Sequence, residues 1–447
     1  MMTLSGSTDH EDGFGPGKQA WGYSEVRPGA FIFWWLYFAH TTTNEDRPAN
    51  YATKPLIIWL QGGPGGSSTG YGNFEEIGTL DRTLHERPHA WVKDYHVLFV
   101  DSPVGSGFSY TDDPSLLARN SSTVVDDLLA FVKDFYRTIG HSTSTDWEGT
   151  VPLYIASESY GGRTAVEFAY ALEQAARAGS IRCRLLGLFL GNAWLSPLDS
   201  IGAWPDYLHR MGYLGERGRA LVERRVAMVR EKMQQQRQGK AMAGWHALQD
   251  AILDETGGLN CYHILKPSVK ETFRLDGNSD ELLEYGETDW WRTPLASSQS
   301  SSLEALMQGP VPHKLGLAGR PPWGAQRTAV FDALGEDFLR SSVGTVERLL
   351  NETTIELVLY NGHLDLITCL PGTLAWIHRL FSQQGTASDS TREPFFAGDE
   401  TDAVVEGYRS VYGTRFTLYT VLRAGHMVPA DNPSAMAHIL RSHIAPI

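Results

Sequence analysis

Apolar positions along the chain come in short, nearly continuous runs that stop abruptly at small or polar residues. The stretches 31–38 (FIFWWLYF), 56–60 (LIIWL), 151–155 (VPLYI), 185–190 (LLGLFL), 355–360 (IELVLY) and 416–422 (FTLYTVL) all have this form. Runs of five to eight apolar residues without strict alternation predict strands buried on both faces, as in a parallel sheet. Between them the period changes: Ala165, Phe168, Ala169 and Leu172 recur at helical spacing, and 124–138 and 330–339 carry the same signal. Strands alternating with helices predict an α/β chain with a mostly parallel central sheet. The texture shifts beyond residue 203. Residues 216–254 are rich in Arg, Gln and Ala and lack proline, which predicts one or two helices with a solvated polar face, and the serine-rich 297–302 reads as a mobile loop. The core pattern resumes near 323. The expected organisation is a first core part over 1–203, a largely helical cap insertion over 204–322 and a second core part over 323–447, with no internal repeat.

One of these strands runs directly into a serine boxed by small residues. The stretch 151–162 reads VPLYIASESYGG and is followed by the helical pattern of 165–172, so Ser159 falls at a strand-turn-helix junction. A hydroxyl becomes a useful nucleophile when it stands clear of its own backbone beside a base and beside oxyanion donors. The nucleophile elbow of α/β-hydrolases supplies that geometry with the spacing G-x-S-x-G. Here Ser157 replaces the first glycine and Gly161 keeps the second. A helix N-cap is the ordinary alternative for such a serine, so its partners decide the matter.

In this fold the partners follow in the order nucleophile, acid, histidine. Asp365 lies just past the 355–360 strand in Asn-Gly-His-Leu-Asp, and His426 lies just past the 416–422 strand in Arg-Ala-Gly-His-Met. Taken singly, Asp365 could be a turn-forming Asx residue and His426 one of fifteen histidines. Three strand ends in the required order make the joint reading a Ser159–His426–Asp365 triad. The 56–60 strand empties into QGGPGGSS, whose glycines let backbone N–H groups approach a ligand closely. Gly63 and Tyr160 are the expected oxyanion donors. A phosphate-cradling role for this loop is excluded, because no G-K-[ST] follows.

WLQGGPGGSS at 59–68, VDSPVGSGFSY at 100–110, ESYGG at 158–162, G-x-x-D at 362–365 and AGHMVPAD at 424–431 together resemble the serine carboxypeptidase family. More narrowly, VRPGAFIFWWLYFA near the start and GNFEEIG at 72–78 resemble its retinoid-inducible branch. The resemblance implies an α/β-hydrolase fold, a peptide or protein C-terminus as substrate, and no cofactor or metal. It also implies a grip on the terminal carboxylate by Gln61, Gly62, Glu75 and Glu158. Crowded carboxyl groups cannot all ionise, so at least one proton would be shared and peptide binding would weaken as pH rises. Gln61 stands where the family usually has asparagine, and Gly66 where many members have cysteine.

Composition adds boundaries to this picture. Fifty-two acidic against 38 basic side chains give a net charge of −14, and no basic run suggests nucleic acid. No apolar run approaches a membrane span. The start, MMTLSGSTDHEDGFGPG, shows no secretory signal, so a mature or truncated form is expected if the chain follows its relatives to a secreted or lysosomal location. Asn120-Ser-Ser and Asn351-Glu-Thr are candidate glycosylation sites. Cys183, Cys261 and Cys369 allow one internal disulfide in three ways or none, without metal-ligand spacing, and Cys183 reads as a buried small residue ahead of its strand. Besides a carboxypeptidase, the same machinery could serve an esterase or acyltransferase. A non-catalytic protective or binding partner is the reading from a different class.

Overall fold

The computed structural model describes residues 13–40, 51–267, 298–383, 391–397 and 404–444. Among the described residues eleven strands form one sheet: β1 Gln19–Arg27, β2 Ala30–Tyr37, β3 Leu56–Leu60, β4 His96–Val100, β5 Tyr110–Thr111, β6 Pro152–Glu158, β7 Arg184–Gly191, β8 Glu356–Gly362, β9 Thr391–Ala397, β10 Val404–Tyr412 and β11 Phe416–Val421. Their order across the sheet is β1-β2-β4-β3-β6-β7-β8-β11-β10-β9, with the short β5 added to β2. The central six, from β4 to β11, are parallel, and antiparallel strands flank them on both sides.

The apolar runs are continuous because both faces of these central strands are covered. Successive side chains point to opposite faces. Leu56, Ile58 and Leu60 of β3, with Leu153 and Ile155 of β6, join one core; Ile57, Trp59, Tyr154 and Ala156 join the other. Helix Ser121–Thr143 covers the first face with Leu128, Phe131, Val132, Phe135 and Ile139. It begins three residues earlier than its apolar period predicts, because Asn120 caps it by accepting from the Thr123 N–H at 2.9 Å. On the other face lies the helix Pro433–His443, with Met436, Ile439 and Leu440 buried. This is the mixed, mostly parallel sheet with helices on both faces that the apolar runs predict.

Three expectations change, and the reading of 216–254 as one or two helices holds. The serine-rich stretch is helical from 298 onward: Leu303, Leu306 and Met307 of helix Ser298–Gln308 bury beside Trp323, so tertiary contacts outweigh serine's weak propensity. Residue 297 lies outside the described residues. The pattern at 330–339 is two short helices, Thr328–Ala333 and Gly335–Phe338. Residues 216–254 form two helices, Glu216–Gln234 and Gln238–Thr256, which pack on each other. Cys183 is half-buried, Cys261 and Cys369 are buried, and all three are free thiols. Residues 1–12 lie outside the described residues.

Removing a well-packed anchor tests the helical assignment of the serine-rich stretch. Met307→Ala should destabilise the fold by roughly 2–5 kcal/mol, within the range for buried methionines, read as a lower thermal midpoint. An unchanged midpoint would show that this helix is not packed on the core.

Candidate active site

The site is assembled where the central strands end. β6 finishes at Glu158, and the next residue, Ser159, takes φ 57°, ψ −127° before helix Tyr160–Arg177 begins. This left-handed backbone is costly for a residue with a Cβ, by about 1–3 kcal/mol. Three hydrogen bonds hold it, one from the Ser159 N–H to the Gly191 carbonyl at 2.9 Å and two to the Ser159 carbonyl, from the Trp194 N–H at 2.8 Å and the Gly162 N–H at 3.0 Å. Close approach requires glycine on both sides of the turn. A Cβ on Gly62 would lie 2.6 Å from the Ser159 Cβ, and one on Gly161 would lie 2.3 Å from the Leu60 carbonyl oxygen.

Asp365 and His426 meet beyond the ends of β8 and β11. His426 Nδ1 lies 2.9 Å from Asp365 Oδ2, and both side chains are buried. The facing carboxylate places the proton on Nδ1, which leaves Nε2 of the neutral ring as the basic nitrogen. Nε2 has no hydrogen-bond partner among the described residues. Four other donors fix Asp365: Asn192 Nδ2 at 2.6 Å, the Ile367 N–H at 2.8 Å, and the N–H and hydroxyl of Thr368 at 3.1 and 2.6 Å. The histidine is held from its own side as well. Its N–H donates to the Tyr262 carbonyl at 2.7 Å, and the Tyr262 ring stands edge-on to the imidazole at 5.0 Å.

Ser159, His426, Gln61, Gly62, Gly63 and Glu158 line one cleft. Tyr160 starts the helix, where N–H groups lack intrahelical acceptors and the positive end of the helix dipole favours negative charge. The glycine-rich loop is pinned from beneath by buried Asp101. It accepts from the Ser67 hydroxyl, the Thr69 N–H and hydroxyl, and the Phe108 N–H, at 2.7 to 3.0 Å. Burial nonetheless pushes its carboxyl up to about 6. Gly66 leaves room for residues 325–327 to pair with this loop, through Ser67 N–H to Ala325 carbonyl and Arg327 N–H to Gly65 carbonyl, each 3.0 Å.

The carboxyl cluster differs from expectation in one member. Gln61 Nε2 donates to Glu158 Oε1 at 3.3 Å and to Glu76 Oε1 at 3.1 Å, while Trp59 Nε1 donates to Gln61 Oε1 at 2.7 Å. Glu75 instead accepts from Arg82 Nη1 at 2.6 Å. The turn that carries both glutamates, Ser68–Ile77, is a π-helix, whose wider turn sets which neighbour faces Gln61. Burial, and then the Glu76 charge, raise Glu158 well above the usual carboxylate range, and burial raises Glu76 too. Both shifts favour the protonated form of the pair.

Asn192 and Thr368 escape the sequence reading, although Asn192 shows the same signal as Asp365: it sits immediately past an apolar strand. Asn192 adopts φ 39° and also accepts from the Gly362 N–H at 3.1 Å, so it bridges the ends of β7 and β8. Nothing in the local pattern marks Glu76 over Glu75, or Tyr262, which reaches the site from the segment after helix Gln238–Thr256.

Comparison with known proteins agrees with this architecture. The serine carboxypeptidase family model matches residues 11–446. The chain is 36% identical over 433 residues to the human retinoid-inducible serine carboxypeptidase, covering 95% of this chain and 91% of that protein. It is 30% identical over 432 residues to serine carboxypeptidase-like 51 of Arabidopsis thaliana, covering 93% and 90%. In fold it is similar to Kex1(delta)p, a prohormone-processing carboxypeptidase from Saccharomyces cerevisiae, with TM-score 0.78, 21% identity and coverage of 96% and 91%. The architecture is that of an α/β-hydrolase. The chain belongs to the serine carboxypeptidase family and is a peptidase of the hydrolase class.

The raised carboxyls couple pH to stability. A folded-state pKa above the unfolded value gives stabilisation that is complete below about pH 4.5 and is lost as pH rises through the folded value. Neutral buried His96, lowered to about 4, acts in the opposite sense, so the useful readout is a difference. The thermal midpoint of Glu158→Gln relative to the unsubstituted protein should rise steadily between pH 4.5 and 7.5. A constant difference would mean that Glu158 carries no displaced proton.

Proposed function

We propose that the chain removes the C-terminal residue of peptides and proteins by a Ser159–His426–Asp365 acyl-enzyme mechanism. The carrying observation is that His426, fixed by Asp365, and the strained Ser159 turn open on the same cleft as Glu158, whose carboxyl shares the Gln61 amide with Glu76. His426 Nε2 takes the Ser159 proton as Oγ attacks the last peptide carbonyl, and the Gly63 and Tyr160 N–H groups receive the oxyanion. Asp365 keeps the proton on Nδ1 and stabilises the imidazolium that forms. His426 then returns its proton to the leaving amine, and water attacks the ester with the same histidine as base.

The terminal carboxylate of the substrate is received by the Gly62 backbone and by the carboxyl pair Glu158 and Glu76, which Gln61 and Trp59 orient. A carboxylate is welcomed there only while the pair is protonated, because a second negative charge would be repelled. Loss of that proton as pH rises weakens binding, which suits an acidic compartment. A secreted or lysosomal location is supported by this pH sense and by the exposed sequons Asn120 and Asn351. The 204–322 insertion contributes Trp245 and Tyr262 to the cleft, as a cap would.

Ser159→Ala should lower kcat by up to about a million-fold while the thermal midpoint stays close to that of the unsubstituted protein. Undiminished peptide cleavage would remove Ser159 from the mechanism. A peptide with a free C-terminus should be cleaved, and its amide left largely intact, with KM for the free acid rising from pH 5 to 7.5; equal rates on both would favour an esterase. Asn192→Ala should reduce kcat by about 10–100-fold, since loss of a charge-assisted hydrogen bond of 1.5–3 kcal/mol frees Asp365 to move. An unchanged kcat would make Asn192 purely structural.

A further inference from the structure

The loop that carries the oxyanion donor Gly63 has few side chains of its own to fix its shape, since residues 62–66 are four glycines and one proline. Its shape must be set from outside. The Gly62–Gly63 peptide unit is trans, so its N–H points opposite to the Gly62 carbonyl, and that carbonyl accepts from the Gly66 N–H at 3.1 Å. The direction of the donor therefore depends on where Gly66 is held.

Gly66 is held by residues 323–327, from a distant part of the chain, with Gln326 directly opposite it in an antiparallel bridge. The Ser67 N–H donates to the Ala325 carbonyl and the Arg327 N–H to the Gly65 carbonyl, each at 3.0 Å. Gln326 adds a side-chain bond, from its Nε2 to the Pro64 carbonyl at 2.7 Å. The carboxamide lies across the turn itself: a Cβ on Gly63 would meet Nε2 at 2.7 Å, and one on Gly66 would meet Oε1 at 3.2 Å. Two anchors fix the segment in turn. Trp323 Nε1 donates to the Ser67 hydroxyl at 2.8 Å, and the Gly324 N–H donates at 3.1 Å to the carbonyl of Gly107, in the loop that follows Asp101. Gln326 lines the cleft beside Gly63 and Gly66.

We infer that Gln326 is a positioning residue for the oxyanion hole, its carboxamide locking the turn at Pro64 so that the Gly63 N–H faces the attacked carbonyl. The inference rests on the acyl-enzyme reading of the site. Without the amide the Pro64 carbonyl loses its donor, and rotation of the Gly62–Gly63 unit needs only the Gly66 bond to open. Such a rotation turns a carbonyl oxygen toward the reaction centre in place of an N–H, and that oxygen repels the negative charge forming on the substrate. The bound substrate carries no such charge before attack, so the loss falls on turnover rather than on binding.

The test compares Gln326→Met, which keeps the volume and loses the donor, with Gln326→Glu, whose carboxyl donates an O–H when protonated and none when ionised. Both are assayed on an acylated Phe-Leu free acid from about pH 4.5 to about pH 7.5, a range that spans ionisation of a glutamate. Rates are taken relative to the unsubstituted protein, so that titration of Glu158 and His426, which line the same cleft, cancels. Gln326→Met should lower kcat by about 10–100-fold at every pH, with KM within about twofold. Gln326→Glu should lose at least as much at the upper pH and recover several-fold at the lower, with its thermal midpoint close to that of the unsubstituted protein. The pH ratio within Gln326→Glu decides the matter even if Gln326→Met does not fold. Unchanged kcat in both variants, a raised KM at unchanged kcat, or a loss in Gln326→Glu that ignores pH would overturn the inference while a fluorophosphonate still labels Ser159. Failure of that reagent to label Ser159 in the unsubstituted protein would overturn the acyl-enzyme reading and this inference with it.

Discussion

The backbone of Ser159 is the constraint on which the site depends. An L-residue at φ 57° is held there by the carbonyl of Gly191 and the N–H of Trp194, helped by the Gly162 N–H of the helix start. The first two partners belong to the end of β7 and the loop after it, so the nucleophile's position is set by the register of β6 on β7 rather than by the turn's own sequence. The same turn releases the chain into helix Tyr160–Arg177 with its first N–H groups facing the cleft end. Strain, oxyanion donors and nucleophile orientation thus arise from one local arrangement.

Burying carboxyl groups is expensive unless donors compensate. The fully buried Asp365 accepts five hydrogen bonds, from Asn192, Ile367, two from Thr368, and His426. Asp101, also fully buried, accepts four. Glu158 and Glu76 are as buried but share the single amide of Gln61. Where donors are that scarce, protonation relieves the cost that hydrogen bonds relieve elsewhere.

Much of this was legible in the chain. Continuous apolar runs marked β2, β3, β6, β7, β8 and β11 because those strands are covered on both faces, and the small residues at their ends marked the turns that carry function. The edge strands were less visible. β1, β9 and β10 mix polar and apolar residues, since one face or one edge meets solvent. Helix Ser298–Gln308 was hidden by its serines, and only Leu303, Leu306 and Met307 in their tertiary setting reveal it. In the site, residues at strand ends were readable and residues chosen by helix phase were not. Glu76 differs from Glu75 by one step of a π-helical turn, and Tyr262 reaches His426 through its carbonyl, which no side-chain pattern encodes.

One adjacency joins the two halves of the site. Glu158 and Ser159 are consecutive, so the proposed carboxylate grip and nucleophile are separated by a single peptide unit, with Cα atoms about 3.8 Å apart. A substrate's last residue spans a comparable distance between its carboxylate and the carbonyl that precedes it. A grip and a nucleophile on neighbouring residues of one cleft would suit release of a single C-terminal residue. Glu158 closes β6, Ser159 follows it in the strained turn, and both line the cleft. The end-specificity of the proposed reaction would then follow from the same φ of 57° that exposes the hydroxyl. Relaxing the turn should disturb recognition and chemistry together.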